Sequence, residues 1–136
     1  MQIGDTLKIA AAGMKAQRDR LRVVAENIAN ANSTGSTPGA EPYRRQLVLF
    51  KNVLDKELGI KTVRVGSRIE DMSDFQKKFD PSHPAADAEG YVLLPNVSTI
   101  VEMMDMREAR RGYEANMNIV EMSKSMLTRT LELLRA

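Results

Sequence analysis

One proline-flanked segment in the middle of the chain holds the residue types that come nearest to catalytic chemistry. Asp80, Ser82 and the only histidine, His83, supply an acid, a hydroxyl and an imidazole. A catalytic triad requires these groups to converge, with the imidazole bonded to both partners. Ser82 and His83 are adjacent, so their side chains diverge in extended backbone, and the flanking prolines restrict the backbone further. The pattern predicts a structural turn formed by Asp80, Pro81, His83 and Pro84.

No other segment supports a catalytic, cofactor or metal site. The chain has no cysteine, and one histidine does not meet the ligand spacings of zinc sites. Gly35 and Gly39 lie in a loop without the strand-to-helix context of a phosphate-binding motif. The carboxylate pair Glu70 and Asp71 is expected to be solvated. The sequence therefore predicts a protein that is not an enzyme and that needs no cofactor.

The charge pattern does not indicate a nucleic-acid partner or a membrane span. The chain carries 20 basic and 18 acidic residues, and no segment has the one-sided positive charge of a nucleic-acid footprint. The cluster of Lys15, Arg18, Arg20 and Arg22 is expected to be a solvated helix face. No apolar run approaches the roughly 20 residues of a transmembrane helix. The N-terminus lacks the basic and apolar regions of a cleaved secretory signal, so none is expected.

The N-terminal residues show the spacing of a coiled-coil helix. Apolar positions alternate in steps of four and three, and only Gln17 interrupts them. This alternation predicts a helix from about Asp5 to about Ala29 that faces a partner along one seam, with Asp5 as the N-cap. The stripe consists of Ile3, Leu7, Ala10, Met14, Gln17, Leu21, Val24 and Ile28.

The C-terminal residues predict a second and longer helix, capped by Asn96 or Ser98 and ending near Leu134. Its first stripe consists of Met103, Met106, Arg110, Tyr113, Met117, Val120, Lys124, Leu127, Leu131 and Leu134. A second stripe lies beside it and consists of Ala115, Ile119, Met122, Met126 and Leu133. One apolar stripe is enough to pack the C-terminal helix against the N-terminal helix in a hairpin. A second stripe requires further helices to cover it. Intermolecular packing is the simplest source of these helices, and contact with the middle region is the alternative.

The middle region has a different pattern, which predicts a loop followed by short strands. Residues 30–42 are rich in turn-forming residues. Tyr43–Phe50 and Thr62–Ile69 are predicted strands, and Asn52–Leu58 is read as a helical turn or a bulging loop. Residues 70–90 are expected to be mostly irregular. Another short extended piece is predicted for Tyr91–Leu94.

The predicted fold class is α+β, with long N- and C-terminal helices that form a coiled-coil-like pair around a small β-rich insert. The predicted organisation has three segments. Residues 1–30 form the N-terminal helix, residues 31–96 form the loop and the β-rich unit, and residues 97–136 form the C-terminal helix. Two helical ends that bracket a small insert are typical of a building block rather than of an enzyme.

Three blocks of the sequence resemble a known family. The first, Leu21–Asn32, resembles the N-terminal motif shared by flagellar rod and hook axial proteins. The second, Phe79–Val97, and the third, Glu102–Asn116, resemble the proximal-rod type within that family. Gly112 departs from the pattern, since serine or alanine is usual there, and Phe79 replaces a frequent tyrosine.

The resemblance implies a structural subunit of the flagellar rod, which crosses the periplasm as a drive shaft between the membrane ring and the hook. It also implies export by the flagellar type III apparatus without a cleaved signal. The implied partners are copies of the same chain, the rod proteins FlgB, FlgF and FlgG, the adaptor FliE, and the membrane ring. The rival interpretation from the residues alone is a coiled-coil dimer that acts as an adaptor or regulator.

The residues expected to form helix–helix and subunit interfaces lie on the two predicted helices. Asn27 and Asn30 are expected either to bond across subunits or to cap the first helix. The full set consists of Leu7, Met14, Leu21, Val24, Asn27, Ile28, Asn30, Met106, Tyr113, Met117, Val120, Leu127, Leu131 and Leu134.

Overall fold

A computed structural model of the protein describes residues 2–136 and confirms the predicted α+β class. Two long helices bracket two small two-stranded sheets, in which β1 pairs with β2 and β3 pairs with β4. The elements are α1 (Ile3–Ala29), β1 (Gln46–Asp55), β2 (Ile60–Glu70), β3 (Gln76–Phe79), β4 (Tyr91–Leu94) and α2 (Thr99–Arg135).

The first helix begins two residues earlier than predicted, and Asp5 is not its N-cap. Gln2 occupies the capping position, because its carbonyl oxygen accepts hydrogen bonds from the Asp5 and Thr6 amides. The Asp5 carboxylate reaches back and accepts a hydrogen bond from the Gln2 amide at 3.3 Å. The bond from the Gln2 amide to Asp5 is one half of a capping box, in which an acid at the third helical position accepts from the N-cap amide. The carboxylate also interacts favourably with the positive end of the helix dipole.

The C-terminal end of α1 is closed by Asn30. Its backbone amide and its side-chain Nδ2 both donate to the Glu26 carbonyl oxygen, at 3.0 and 2.8 Å. The Ser33 hydroxyl in turn donates to Asn30 Oδ1 at 3.1 Å. Capping the helix was one of the two roles expected of Asn30. Its side-chain amide forms these hydrogen bonds with residues of the same chain.

The interpretation of Asn52–Leu58 as a helical turn or a bulging loop is wrong, because β1 continues through Asp55. The chain reverses direction in the four residues that follow β1. Asp55 Oδ1 accepts the amides of Glu57 and Leu58, and Gly59 adopts φ +65°. A short acceptor side chain before a glycine with positive φ is an efficient way to reverse a strand.

Residues 70–90 contain more regular structure than expected. β3 pairs antiparallel with β4, with Gln76 opposite Leu94 and Phe79 opposite Tyr91. The Phe79 and Tyr91 rings pack edge-to-face with centroids 5.4 Å apart. The mixed polar sequence of β3 hides its strand character, and pairing with the apolar β4 stabilises it.

The chain divides into two compact units, the first built from three stretches and the second from two. Unit 1 comprises residues 1–21, 49–67 and 107–136, and unit 2 comprises residues 22–48 and 68–106. The three-segment organisation stays a prediction, and both units draw on more than one of its segments. Over residues 2–136 neither helix has a stretch apolar and long enough for a bilayer.

Within unit 1 the two helices are antiparallel and close. A Cβ placed on Gly13 would lie 2.7 Å from Asn116 Nδ2, and one on Gly112 would lie 3.0 Å from Gln17 Nε2. One turn further along, Arg20 pairs with Glu108 at 3.3 Å. The two residues that looked anomalous in the sequence, Gln17 and Gly112, therefore face each other, since the missing side chain makes room for the long one.

The surface of α2 that turns away from solvent differs from the predicted apolar stripe. Ala109 is fully buried and Ser123 is 6% exposed, and Asn116 lies midway between them at intervals of seven residues. Met117 and Leu127, from the predicted stripe, are exposed. The seam contains small and polar residues because large side chains would hold the helices apart. The large apolar residues flank the seam instead.

The close approach at Gly13 predicts a specific sensitivity to added volume. Gly13→Ala should lower the free energy of unfolding by about 1–3 kcal/mol, because its methyl group overlaps the Asn116 amide. Gly4→Ala in the same helix is the matched control, since no atom lies within 4 Å of the added methyl group. Urea unfolding followed by circular dichroism measures both. Equal stability of the two variants would contradict the close packing.

Candidate functional site

A carboxylate without solvent contact lies at the centre of unit 2. Glu102, in the first turns of α2, is 0% exposed. Its Oε2 accepts a hydrogen bond from Asn27 Nδ2 at 3.1 Å, and its Oε1 accepts one from Arg45 Nε. The Glu102 side chain points inward, and only its backbone amide bonds to the Ser98 carbonyl oxygen.

Arg45 joins this carboxylate to two others. Its NH1 lies 3.4 Å from Asp71 Oδ2, and its NH2 lies 3.2 Å from Asp105 Oδ2. Burial acts to lower the pKa of Arg45, but the hydrogen bond to Glu102 and the surrounding acids raise this pKa above its ordinary value. One guanidinium therefore connects the segment before β1, the turn after β2 and α2.

Asn27 is the second support of the buried carboxylate. Besides Glu102, its Nδ2 donates to the Gln46 carbonyl oxygen, and its Oδ1 accepts from the Gln46 amide and the Tyr43 hydroxyl. These four bonds use the full capacity of the amide, and the residue is 1% exposed. These internal partners leave the Asn27 amide without free hydrogen-bonding capacity for a bond across subunits, which was one of the roles predicted for it. Burial and the charge of Glu26 raise the pKa of Tyr43.

The turn that follows β2 is held from several sides. The Asp71 carboxylate accepts a hydrogen bond from the Ser73 amide at 2.9 Å, and the Asp71 amide donates one to the Arg45 carbonyl oxygen at 2.8 Å. Asn96 Nδ2 donates to the Asp71 and Ser73 carbonyl oxygens, so Asn96 secures this turn and does not cap α2. Hydrogen bonds from Ser73 and the charge of Arg45 lower the pKa of Asp71. The expectation that Asp71 is merely solvated is wrong.

The residues of the predicted turn do not form a catalytic triad. The Ser82 hydroxyl donates to Asp80 Oδ1 at 2.8 Å and not to His83. His83 Nδ1 accepts a hydrogen bond from the Ala85 amide at 3.0 Å. Because Nδ1 is an acceptor, Nε2 carries the proton and donates a hydrogen bond to the Thr34 hydroxyl oxygen at 3.1 Å. The imidazole thus ties the loop after α1 to the turn. Residues 2–136 contain no cluster of acids and histidine suited to a metal ion.

The residues predicted to form interfaces fall into three classes of exposure. Val24 and Asn27 are buried in unit 2. Eight are partly covered, namely Leu7, Met14, Leu21, Ile28, Asn30, Met106, Tyr113 and Val120. Four are exposed, namely Met117, Leu127, Leu131 and Leu134. The exposed members concentrate towards the C-terminal end of α2.

This concentration follows from the lengths of the two helices. Gly13 lies opposite Asn116, so the same antiparallel register places Ile3, the first residue of α1, near the level of Met126. The helix α2 continues to Arg135. Its last turns carry Leu131 at 53% and Leu134 at 78% exposure. We call residues 127–135 the α2 extension, and α1 has no residues left to cover it.

Comparison with known proteins matches this architecture to one family. Residues 7–37 match the family model "Flagella basal body rod protein", and residues 88–133 match "Flagellar basal body rod FlgEFG protein C-terminal". The chain is 48% identical to the flagellar basal-body rod protein FlgC of Agrobacterium fabrum, over 95% of this chain and 93% of that one. The FlgC proteins of Borreliella burgdorferi and Salmonella typhimurium are 39% and 38% identical. Those matches span 99% and 98% of both chains.

The chain belongs to the FlgC family of flagellar basal-body rod proteins.

Family membership confirms the resemblance inferred from the three sequence blocks. It makes the chain a structural rod protein of the flagellar basal body, and its relatives are named as rod proteins rather than as enzymes. The coiled-coil adaptor interpretation is not favoured.

Sequence reasoning missed most of the buried cluster around Glu102. Arg45, Tyr43 and Asp71 are far from Glu102 in the chain, and charged residues are usually solvated, so no local pattern marked them. One signal was present. Glu102 stands seven residues before Ala109 and fourteen before Asn116, and this repeat of small and polar residues indicates a close helical seam.

The buried carboxylate predicts a large difference between two glutamates on the same helix. Glu102→Gln should destabilise the protein by about 3 kcal/mol, because Arg45 and Asn27 lose the charge that they surround. Glu108→Gln, the matched control, should cost no more than about 1 kcal/mol, since the side chain that pairs with Arg20 is 71% exposed. Urea unfolding measures both variants. A neutral effect of Glu102→Gln would show that the cluster does not support the fold.

The lowered pKa of Asp71 predicts a loss of stability in acid. The folded state holds this pKa below the unfolded value, so the contribution is fully present above the unfolded pKa and is lost as the pH falls below about 4. Asp71→Asn should therefore flatten the pH dependence of the unfolding free energy in this range. Asp74→Asn removes a charge from the same loop and is the control. An unchanged slope in Asp71→Asn would refute the assignment.

Proposed function

We propose that the chain polymerises as a subunit of the proximal rod and transmits torque from the membrane ring to the hook. The observation that carries the proposal is the uncovered apolar surface of α2. Ile119, Met122 and Met126 lie on one side of the small-residue seam and are 41–65% exposed. Leu127 and Leu131 lie on the other side and are also exposed. Apolar surface of this extent on a water-soluble helix marks a protein contact.

The arrangement of this surface favours an open polymer over a closed dimer. A dimer with twofold symmetry uses one patch on each copy, whereas the helix presents apolar residues on two sides of its seam and along the α2 extension. Contacts between different patches do not close unless their rotation happens to form a ring. Such contacts generate a helical filament, in which each subunit has neighbours on several sides and torque passes through all of them.

The predicted interface residues, apart from Asn27, are proposed to act in these contacts. Partly covered residues such as Leu21 and Tyr113 border the seam and would be covered fully by a neighbouring helix. The exposed residues Met117, Leu127, Leu131 and Leu134 would pack directly against neighbouring subunits. Methionine suits this role because its flexible side chain adapts to neighbours that are not identical.

The further partners are proposed from the family. They are the rod proteins FlgB, FlgF and FlgG, the adaptor FliE and the membrane ring, and the rod would cross the periplasm. Export through the flagellar type III apparatus without a cleaved signal is proposed from the family as well. The proposed role is structural and involves no catalytic step.

A single substitution on the α2 extension tests the proposal. Leu127→Asp should abolish rod assembly and swimming, because a charge would enter an apolar contact between subunits. Its melting temperature should change little, since Leu127 is 43% exposed in the single chain. Swimming in soft agar and the presence of rods in isolated basal bodies are the measurements.

Thr128→Asp is the matched control, because it adds the same charge at the next, exposed position. Cells with this variant should swim. Normal swimming of Leu127→Asp cells would overturn the proposal. A stable dimer of the unsubstituted protein that stops at two copies in solution would favour the adaptor interpretation instead.

A further inference from the structure

Unit 1 contains a groove between α1 and the hairpin β1–β2. Its volume is about 510 Å³. Small and β-branched residues supply the apolar part of its wall, namely Ala11, Ala12, Ala16, Val63 and Val65. Small side chains on a helix leave a depression that a bulkier side chain from another molecule can fill. We call it the Lys8 groove.

The border of the Lys8 groove has unbalanced positive charge. Lys8, Lys15 and Arg64 line it, and none of them forms an ion pair within residues 2–136. The two acids that also line it have other partners. Asp55 accepts amides of the hairpin turn, and Asp19 lies 4.0 Å from Arg18. Three cations against two acids leave a surplus of one positive charge, which beside an apolar wall favours an occupant that combines an apolar tip with negative charge.

Unit 2 displays a segment with this chemistry. Residues 70–74 form a turn, here called the Met72 turn, in which Met72 is 76% exposed. Glu70 and Asp74 flank it, are exposed, and have no partner in the described part of the chain. The turn thus offers one long apolar side chain between two free carboxylates.

The Met72 turn is held rigidly although its central side chain contacts solvent. Arg44 NH1 and Asn96 Nδ2 both donate to the carbonyl oxygens of Asp71 and Ser73. The Asp71 carboxylate is further fixed by Arg45 and the Ser73 amide. Because the backbone is already ordered, docking of this turn would cost little conformational entropy. Such anchoring around an exposed methionine fits a preformed contact better than a mere connection between strands.

We propose that the Met72 turn of one copy docks in the Lys8 groove of a second copy. This inference rests on the proposed function, since it names a contact by which like subunits join. The turn brings two negative charges to a groove border with a surplus of positive charge, and methionine adapts to the apolar wall. The Met72 turn and the Lys8 groove are different surfaces, so the contact between two copies is heterologous. The copy that donates its turn keeps a free groove, and the copy that donates its groove keeps a free turn, so a third copy can join at either end.

Cross-linking tests the contact directly, because the chain has no cysteine of its own. Met72→Cys and Ala11→Cys variants are co-expressed in cells of the source bacterium that lack the chromosomal copy, and basal bodies are treated with a short bismaleimide. Each chain carries a single cysteine, so a cross-linked dimer can only join two copies. The expected dimer yield is at least about tenfold above that of the control pair, owing to the local concentration at a shared site.

The control pair combines Ala11→Cys with Met104→Cys, whose methionine is 65% exposed outside the Met72 turn. Swimming of the cells shows that the variants enter the rod. Swimming without the cross-link between positions 72 and 11 overturns the docking contact and leaves the proposed function intact. Dimers of Met72→Cys alone would indicate a symmetric contact and also overturn it. Swimming in cells with no copy at all would instead refute the proposed function.

Charge reversal gives a second, independent test. Lys8→Glu with Lys15→Glu should reduce swimming and lower the dimer yield between positions 72 and 11 by at least about tenfold, through like-charge repulsion. Adding Glu70→Lys and Asp74→Lys in the same chain should restore both. All four side chains are exposed, so folding should persist, and circular dichroism checks it. Failure of the second pair to rescue a folded first pair would contradict the contact with a second copy. It would point to a different protein as the occupant.

Discussion

The rest of unit 2 depends on one buried carboxylate, that of Glu102. Transfer of a lone carboxylate from water into a protein interior costs several kcal/mol, unless hydrogen bonds and an opposite charge replace its hydration. Asn27 and Arg45 provide this replacement, one from α1 and one from the segment before β1. Since Arg45 also holds Asp71, the end of α1, the start of α2 and the turn after β2 are fixed around one ion.

Polar contacts have this role because the interior offers few large apolar groups. The largest fully buried side chains are Glu102, Asn27 and Pro95. A seam of alanine, glycine and serine brings two helices close, but it specifies register poorly, since neighbouring small residues are nearly interchangeable. Paired polar groups are specific, as a buried asparagine is in a coiled coil. Asn27 against Glu102 in unit 2, and Gly13 against Asn116 in unit 1, specify this register.

The sequence predicted the fold class and both helices, because their periodicity extends over many turns and does not depend on distant residues. It did not predict which face of α2 is buried. The periodicity selects large apolar residues, whereas close packing selected Ala109 and Ser123. The hairpin was misjudged because Asn52 and Asp55 weaken the strand pattern of β1. The ion pair of Arg45 with Glu102 joins residues 57 positions apart, and no local pattern connects them.

The protein thus separates two tasks that most domains assign to the same residues. Small and polar groups inside the chain determine its conformation, and large apolar groups outside remain for association. The α2 extension shows the consequence most clearly. Helix propagation from the preceding turns costs little, so the extension can be helical without packing. Its leucines are nevertheless exposed in the single chain, and in the proposed rod another subunit would cover them. A mutation in the buried cluster should therefore affect folding first, whereas one on the extension should affect assembly and leave the fold unchanged.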